Sequence, residues 1–194
     1  MAAVPTLLGP SVADARELAR DLLDSEPERW RHTIGVARRA AELVPAIGTD
    51  RAEVLVCAAW LHDIGYAEPV ADTGFHPLDG ARHLARYGWP ARICALVAYH
   101  SGAGFVAAAR GLSGLLGQFR QERTPLADAL TYADQTVGPD GRRMRVRQRI
   151  ADMLGRHGPD SPPARVHHLR GPYLLAVADR VEGRLAVHSG RSGR

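Results

Sequence analysis

"AAWLHDIGYAEP", residues 58–69, carries an apolar, helix-like stretch straight into His62 and Asp63 and stops at Gly65. Two polar side chains at the inner end of a hydrophobic segment lose hydration unless something pairs with them. Taken alone, the pair reads most simply as a hydrogen-bonded core histidine, so the surrounding chain has to decide. Its own segment, "TDRAEVLVCAAWLHDIG" (49–65), is apolar nearly all round, the mark of a helix at the centre of a fold.

Working outward, the punctuation is helical throughout. "SEPERWRHTIGVARRAAELVPAIG" (25–48) opens with Ser25, Pro27 and Glu28, repeats Trp30, Ile34, Ala37, Ala41 and Val44 at three- and four-residue steps, and ends at Gly48. "SVADARELARDLL" places Ser11 and Asp14 in capping-box positions. "HPLDGARHLARYG", "PARICALVAYHSG", "FVAAARGLSGLLGQF" and "TPLADALTYADQTVG" read as further helices, as do segments around 143–157 and 163–187. Pro90 and Pro125 sit where a first helical turn tolerates proline. No strand-like alternation and no repeat interrupts them. The expectation is an all-α, single-domain helical bundle, with "GPDGRRM" (138–144) as a functional loop and "HSGRSGR" (188–194) as a disordered tail.

With 194 residues, 45% hydrophobic and 24% charged, the chain has the composition of an ordinary globular protein with a sizeable core. By this reading no apolar run reaches membrane-spanning length, and the start lacks the basic region of a signal peptide. Cys57 and Cys94, far apart in apolar surroundings, suit small hydrophobes in a reducing interior, and the protein is expected in the cytoplasm. Charge is uneven: residues 1–140 hold 13 Arg against 17 acids (−4), and residues 141–194 hold 12 Arg against 4 acids (+8). All 25 basic residues are arginine, so no lysine can serve as a general acid or phosphate clamp. The C-terminal arginines fall on amphipathic helices without interleaved aromatics, which favours a solvated face over nucleic-acid binding.

The remaining ligand-type residues are spread in a telling way. His32 lies mid-helix, His62 and Asp63 end the next helix, His76 begins another, His100 ends a fifth segment, and Asp134 sits within "LTYADQT". Bundle cores build metal sites from such side chains, one or two per helix. Four histidines and two aspartates without cysteine suit Mn²⁺, Fe²⁺ or similar ions better than structural zinc.

The order His, His-Asp, His, His, Asp, with "HDIG" intact, resembles the HD superfamily of metal-dependent phosphohydrolases, over about residues 25–140. "RWRHTIGVARRAAEL" looks like the first histidine helix, "LHDIGY" the signature, "HPLDGARHL" and "AYHSG" the additional histidine motifs of two-metal branches, and "ALTYADQT" the closing aspartate. The resemblance implies an HD-type bundle with the site in its core: residues 1–24 as an N-terminal helix, 25–140 as the catalytic core, and 141–187 as a helical extension. It implies His32, His62, Asp63 and Asp134 around one metal and His76 and His100 holding a second, with Asp63 bridging. Mn or Fe leads, with Co, Ni or Mg as alternatives, at one or two ions per chain. His62 and Asp63 would be the catalytic pair, with a metal-bound hydroxide attacking a phosphoester or phosphoanhydride.

Two departures bear on substrate. Tyr66 stands where many relatives have lysine, and no "GYP" follows His100. A nucleotide or other small phosphorylated substrate is therefore expected, rather than a cyclic dinucleotide, nucleic acid or a membrane. Arg29 would clamp phosphate, with Arg142 and Arg143 as further candidates, while Tyr66 or Phe75 would wall the organic part. One phosphate group is expected at the metals, with nucleoside monophosphates, dinucleoside polyphosphates or small phosphodiesters as substrates. A mixed-valent diiron oxygenase and a non-catalytic nucleotide-binding module remain open alternatives, as does a homodimer.

Overall fold

The computed structural model describes residues 10–192. Among them no strand forms, and the extended pairing is an isolated bridge between Val137 and Arg143. The helices are α1 (Val12–Leu23), α2 (Pro27–Ile47), α3 (Ala52–Leu61), α4 (His76–Arg86), α5 (Ala91–Tyr99), α6 (Ala103–Ala109), α7 (Ser113–Leu116), α8 (Pro125–Gln135), α9 (Val146–His157), α10 (Pro162–Arg165) and α11 (His167–Ser192). The all-α expectation holds.

α3 is the axis, packed against α1, α2, α5 and α8. Its Leu55, Cys57, Ala58, Ala59 and Leu61 are all buried, which is why its sequence shows no polar face. Around it, α2 buries a stripe of His32, Thr33, Gly35, Val36, Ala37, Ala40 and Leu43, turned from the one read in the sequence: Ala37 is buried, but Trp30, Ile34 and Val44 are half-buried and Ala41 is exposed. The capping box of α1 is present: Ser11 Oγ accepts from the Asp14 amide at 3.3 Å, and Asp14 accepts from the Ser11 amide at 2.7 Å. Cys57 and Cys94 are free and buried, and burial pushes the Cys57 thiol up to about 11.

Two glycine contacts set the positions of the polar residues. A Cβ on Gly65 would lie 2.0 Å from the His76 carbonyl oxygen and 2.8 Å from the Gly80 amide. Only a bare backbone lets α4 close over the end of α3, and that approach brings His76 to Asp63. Likewise a Cβ on Gly35 would stand 2.5 Å from the Gly141 oxygen, so the 138–144 segment lies directly on α2.

The structure departs from the sequence reading at several joints. The "FVAAARGLSGLLGQF" segment divides into α6 and α7 around Gly111, which has φ +71°. The last predicted helix divides into α10 and α11. α11 continues through Ser192, beyond the start of the expected tail at residue 188, because extending a formed helix requires little compared with nucleating one. Residues 1–9, with the reading of the chain's start, and residues 193–194 lie outside the described residues. The stretch Ala91–Ala109 is long and apolar enough to span a membrane by composition, contrary to the sequence reading. Its most apolar window is 67% buried inside the fold, and the helix breaks at Ser101 (φ 52°, ψ 32°).

Candidate metal centre

Helix ends position the histidines. The last turn of a helix leaves carbonyls without intrahelical partners. His62, at the end of α3, donates from Nδ1 to the Ala59 carbonyl at 2.8 Å, and His100, at the end of α5, does the same to Val97 at 2.7 Å. His32, inside α2, turns Nδ1 to the Gly138 carbonyl at 3.0 Å, the bond that gives the 138–144 loop its role. With each Nδ1 proton held by a backbone oxygen, each Nε2 presents a lone pair to the interior.

Those lone pairs converge on Asp63, which is 3% exposed. Its Oδ2 lies 3.5 Å from His62 Nε2 and 3.9 Å from His32 Nε2, while its Oδ1 lies 3.4 Å from His76 Nε2 and 3.9 Å from His100 Nε2. The ligand atoms of His32, His62 and Asp63 all fall within 4.8 Å of one another, and those of Asp63, His76 and His100 do likewise. One carboxylate thus belongs to two triads. Asp134 joins the first, its Oδ1 3.0 Å from His32 Nε2 and 4.0 Å from His62 Nε2. All six residues predicted as ligands come together.

The electrostatics of this cluster fit a cation. His62 Nε2 is buried and has no hydrogen-bond partner, although it faces two carboxylates. A lone pair facing carboxylate oxygens is repelled by them, and a positive ion placed among these atoms removes that repulsion. Burial lowers the His62 pKa to about 4 and takes His76 well below its usual value, keeping both imidazoles neutral as metal ligands require. Burial alone would raise the carboxyl pKa values. Both carboxylates are nevertheless held below the usual range and stay ionised, with the permanent charge of Arg29 beside Asp63 and that of Arg149 near Asp134.

A second layer holds the ligands in place. Gln135 Nε2 donates to Asp134 Oδ2 at 2.9 Å, and Ser101 Oγ donates to the same oxygen. Ser101 adopts left-handed backbone, an unusual conformation for a residue with a side chain, which suits a functional position. Sequence reasoning missed both residues, although each directly follows a predicted ligand.

The cluster opens into a cavity of about 320 Å³ whose lining includes Arg29, Tyr66, Phe75, Ser101, Arg149 and Arg170. Arg29 donates from Nη1 to Asp63 Oδ2 at 2.7 Å, and its guanidinium lies 3.8 Å over the Tyr66 ring. Tyr66 in turn stacks on His76 with ring centroids 4.0 Å apart. The two predicted substrate contacts therefore border the cavity but are engaged with the ligands. Arg142 and Arg143 do not line it: Arg142 pairs with Asp140 and Arg143 with Glu42, since the loop faces α2. Their place is taken by Arg149 and Arg170, from the segment read as a solvated face.

The HD domain family model matches residues 29–138, more than half of the chain, and this protein belongs to that family. No curated protein and no solved structure matches the chain. HD domains bind divalent metals, and the buried His/Asp cluster fits such a site.

Proposed function

We propose that this chain is a phosphohydrolase that cleaves a phosphoester or phosphoanhydride of a nucleotide or similar small molecule, using two divalent ions, Mn or Fe first among them. The observation that carries this reading is the sharing of Asp63 between two triads, one carboxylate oxygen to each. His32, His62, Asp63 and Asp134 would hold one ion, and Asp63, His76 and His100 the other. When bound, such ions neutralise phosphate charge and make a water acidic enough to act as nucleophile near neutral pH.

The chain's own residues provide the rest. Arg29 positions Asp63 and borders the cavity, where its guanidinium can meet a phosphate oxygen. Tyr66 and Phe75 give an aromatic border for the organic part of the substrate. Ser101 and Gln135 hold Asp134 in one orientation.

The test is a panel of phosphomonoesters, phosphodiesters and nucleoside polyphosphates incubated with Mn²⁺, Fe²⁺, Co²⁺, Ni²⁺ or Mg²⁺, with oxygen uptake followed in parallel. Metal-dependent phosphate release is expected. Oxygen uptake with no phosphate released from any substrate would overturn the reading.

A further inference from the structure

The wall of the cavity contributed by the C-terminal segment holds two arginines that the metal chemistry does not use. Arg149 on α9 and Arg170 on α11 are 9% and 7% exposed, and both line the same cavity as Asp63, His76 and His100. Each has a buried donor without a partner: Nε of Arg149 and Nη1 of Arg170. Buried guanidinium donors are normally satisfied, because leaving them dry forfeits their hydration.

Their existing contacts leave this demand unmet. Arg149 donates from Nη1 to Asp152 at 3.3 Å, but Asp152 is also paired with Arg156 at 2.9 Å. Its Nη2 lies 4.0 Å from Asp134 Oδ1, an oxygen already facing His32 and His62. Arg170 donates from Nε to the Ser101 carbonyl at 2.8 Å, a neutral partner. Burial lowers the Arg170 pKa, and Arg149 pushes it the same way, as expected for two cations sharing one wall. The other cavity arginines are engaged: Arg29 with Asp63, and Arg110 with the carbonyls of Thr73 and Gly74. Five arginines against two aspartates line the space.

We propose that Arg149 and Arg170 form an anion subsite beside the metal centre and that the substrate carries a second phosphate group, seated on them, in addition to the phosphate that reacts. The proposal rests on the phosphohydrolase reading and narrows its substrate to a nucleoside polyphosphate, a bisphosphate or a comparable compound with two phosphates. It adds a second phosphate, away from the metals, to the one expected there from the sequence. A planar guanidinium gives paired donors to a phosphate, and two of them at one place offset both charges of the group. A cavity of about 320 Å³ lies at the small end of ligand pockets, enough for such a compound without a polymer.

Orthophosphate titrated by calorimetry into metal-stripped protein reads this subsite without turnover. The wild type should bind one phosphate per chain, and Arg149→Gln and Arg170→Gln should each weaken it by roughly ten- to a hundredfold, the range for charge-assisted hydrogen bonds. Arg170→Lys, which keeps the charge and can keep the Ser101 contact, guards against a folding defect and should retain more affinity than Arg170→Gln. Arg142→Gln, a surface control, should bind as wild type does. In the metal-loaded protein, the KM ratio between a nucleoside bisphosphate and the matching monophosphate should shift at least about tenfold in Arg149→Gln. No phosphate bound by the metal-free wild type, or equal KM changes for both compounds, would overturn the subsite. Absence of hydrolysis with every metal would instead defeat the phosphohydrolase reading and leave the phosphate titration to stand by itself.

Discussion

The cavity has two walls that differ in origin and in chemistry. One is built from the ends of α3, α4 and α5 with the middle of α2 and the end of α8, and presents the imidazoles of four histidines and the carboxylates of two aspartates. The other comes from α9 and α11, outside the 29–138 match to the HD domain, and presents guanidinium groups. The first wall is suited to hold cations and the second to hold anions. A site with both can seat a charged substrate between them, and each wall should fail in its own way when altered.

The largest effect is expected on the first wall. Asp63→Ala removes an oxygen from each triad, so phosphate release should fall by about three orders of magnitude or more, with metal content by elemental analysis dropping together with it. Circular dichroism should show the helices retained. If substitution on the arginine wall removed metal equally well, the division between the walls would be wrong. His100→Ala should be milder: bound metal should fall from about two per chain toward one, with a higher metal concentration needed for turnover. A wild-type content of one, unchanged by this substitution, would reassign His76 and His100 to packing or substrate contact. Gln135→Leu removes a hydrogen bond to Asp134 and should weaken metal binding by about ten- to a hundredfold in a competition assay with a chelating dye.

Acid should also separate the walls. The folded pKa of His62 lies near 4, below the usual 6.5, so the unfolded chain binds its proton first as pH falls. Stability of the metal-free protein should therefore decline from pH 6.5 down toward about 4, with the lowered Asp63 and Asp134 acting in the same direction at still lower pH. A thermal melting temperature that stayed flat across this window would contradict the neutral, buried state of His62. The smallest effect concerns how the second wall is fastened. Asp128 on α8 accepts from Arg180 at 3.0 and 2.7 Å and from Arg184 at 3.0 Å, tying α11 to the core. Asp128→Asn should lower stability by about 1–2 kcal/mol, read by urea unfolding, without changing metal content.

The first wall was legible in the sequence because its chemistry interrupts apolar periodicity. His62-Asp63 and His100 each terminate a hydrophobic run, and a polar residue there must be explained. Asp134 stands out in "LTYADQT" for the same reason. The second wall was not legible, because an arginine on an amphipathic helix reads the same whether it faces solvent or a cavity. Arg149 sits among Arg145, Arg147 and Arg156, and only the packing of α9 and α11 against the core turns Arg149 and Arg170 inward. Arg142 and Arg143 were the converse error, close in sequence to the site and directed elsewhere. The two glycine approaches were half visible: Gly65 read as a helix stop, while its closeness to His76 depends on a tertiary contact that no local pattern encodes.

Gly65 also has a genetic consequence. All glycine codons begin GG, so a single-nucleotide change that alters the residue yields Ala, Val, Asp, Glu, Arg, Ser, Cys, Trp or a stop. Every one of those residues carries the Cβ that would fall 2.0 Å from the His76 oxygen. No one-step coding change at this codon leads to an amino acid that fits, so lineages can cross here only by staying silent or by moving α4 as well.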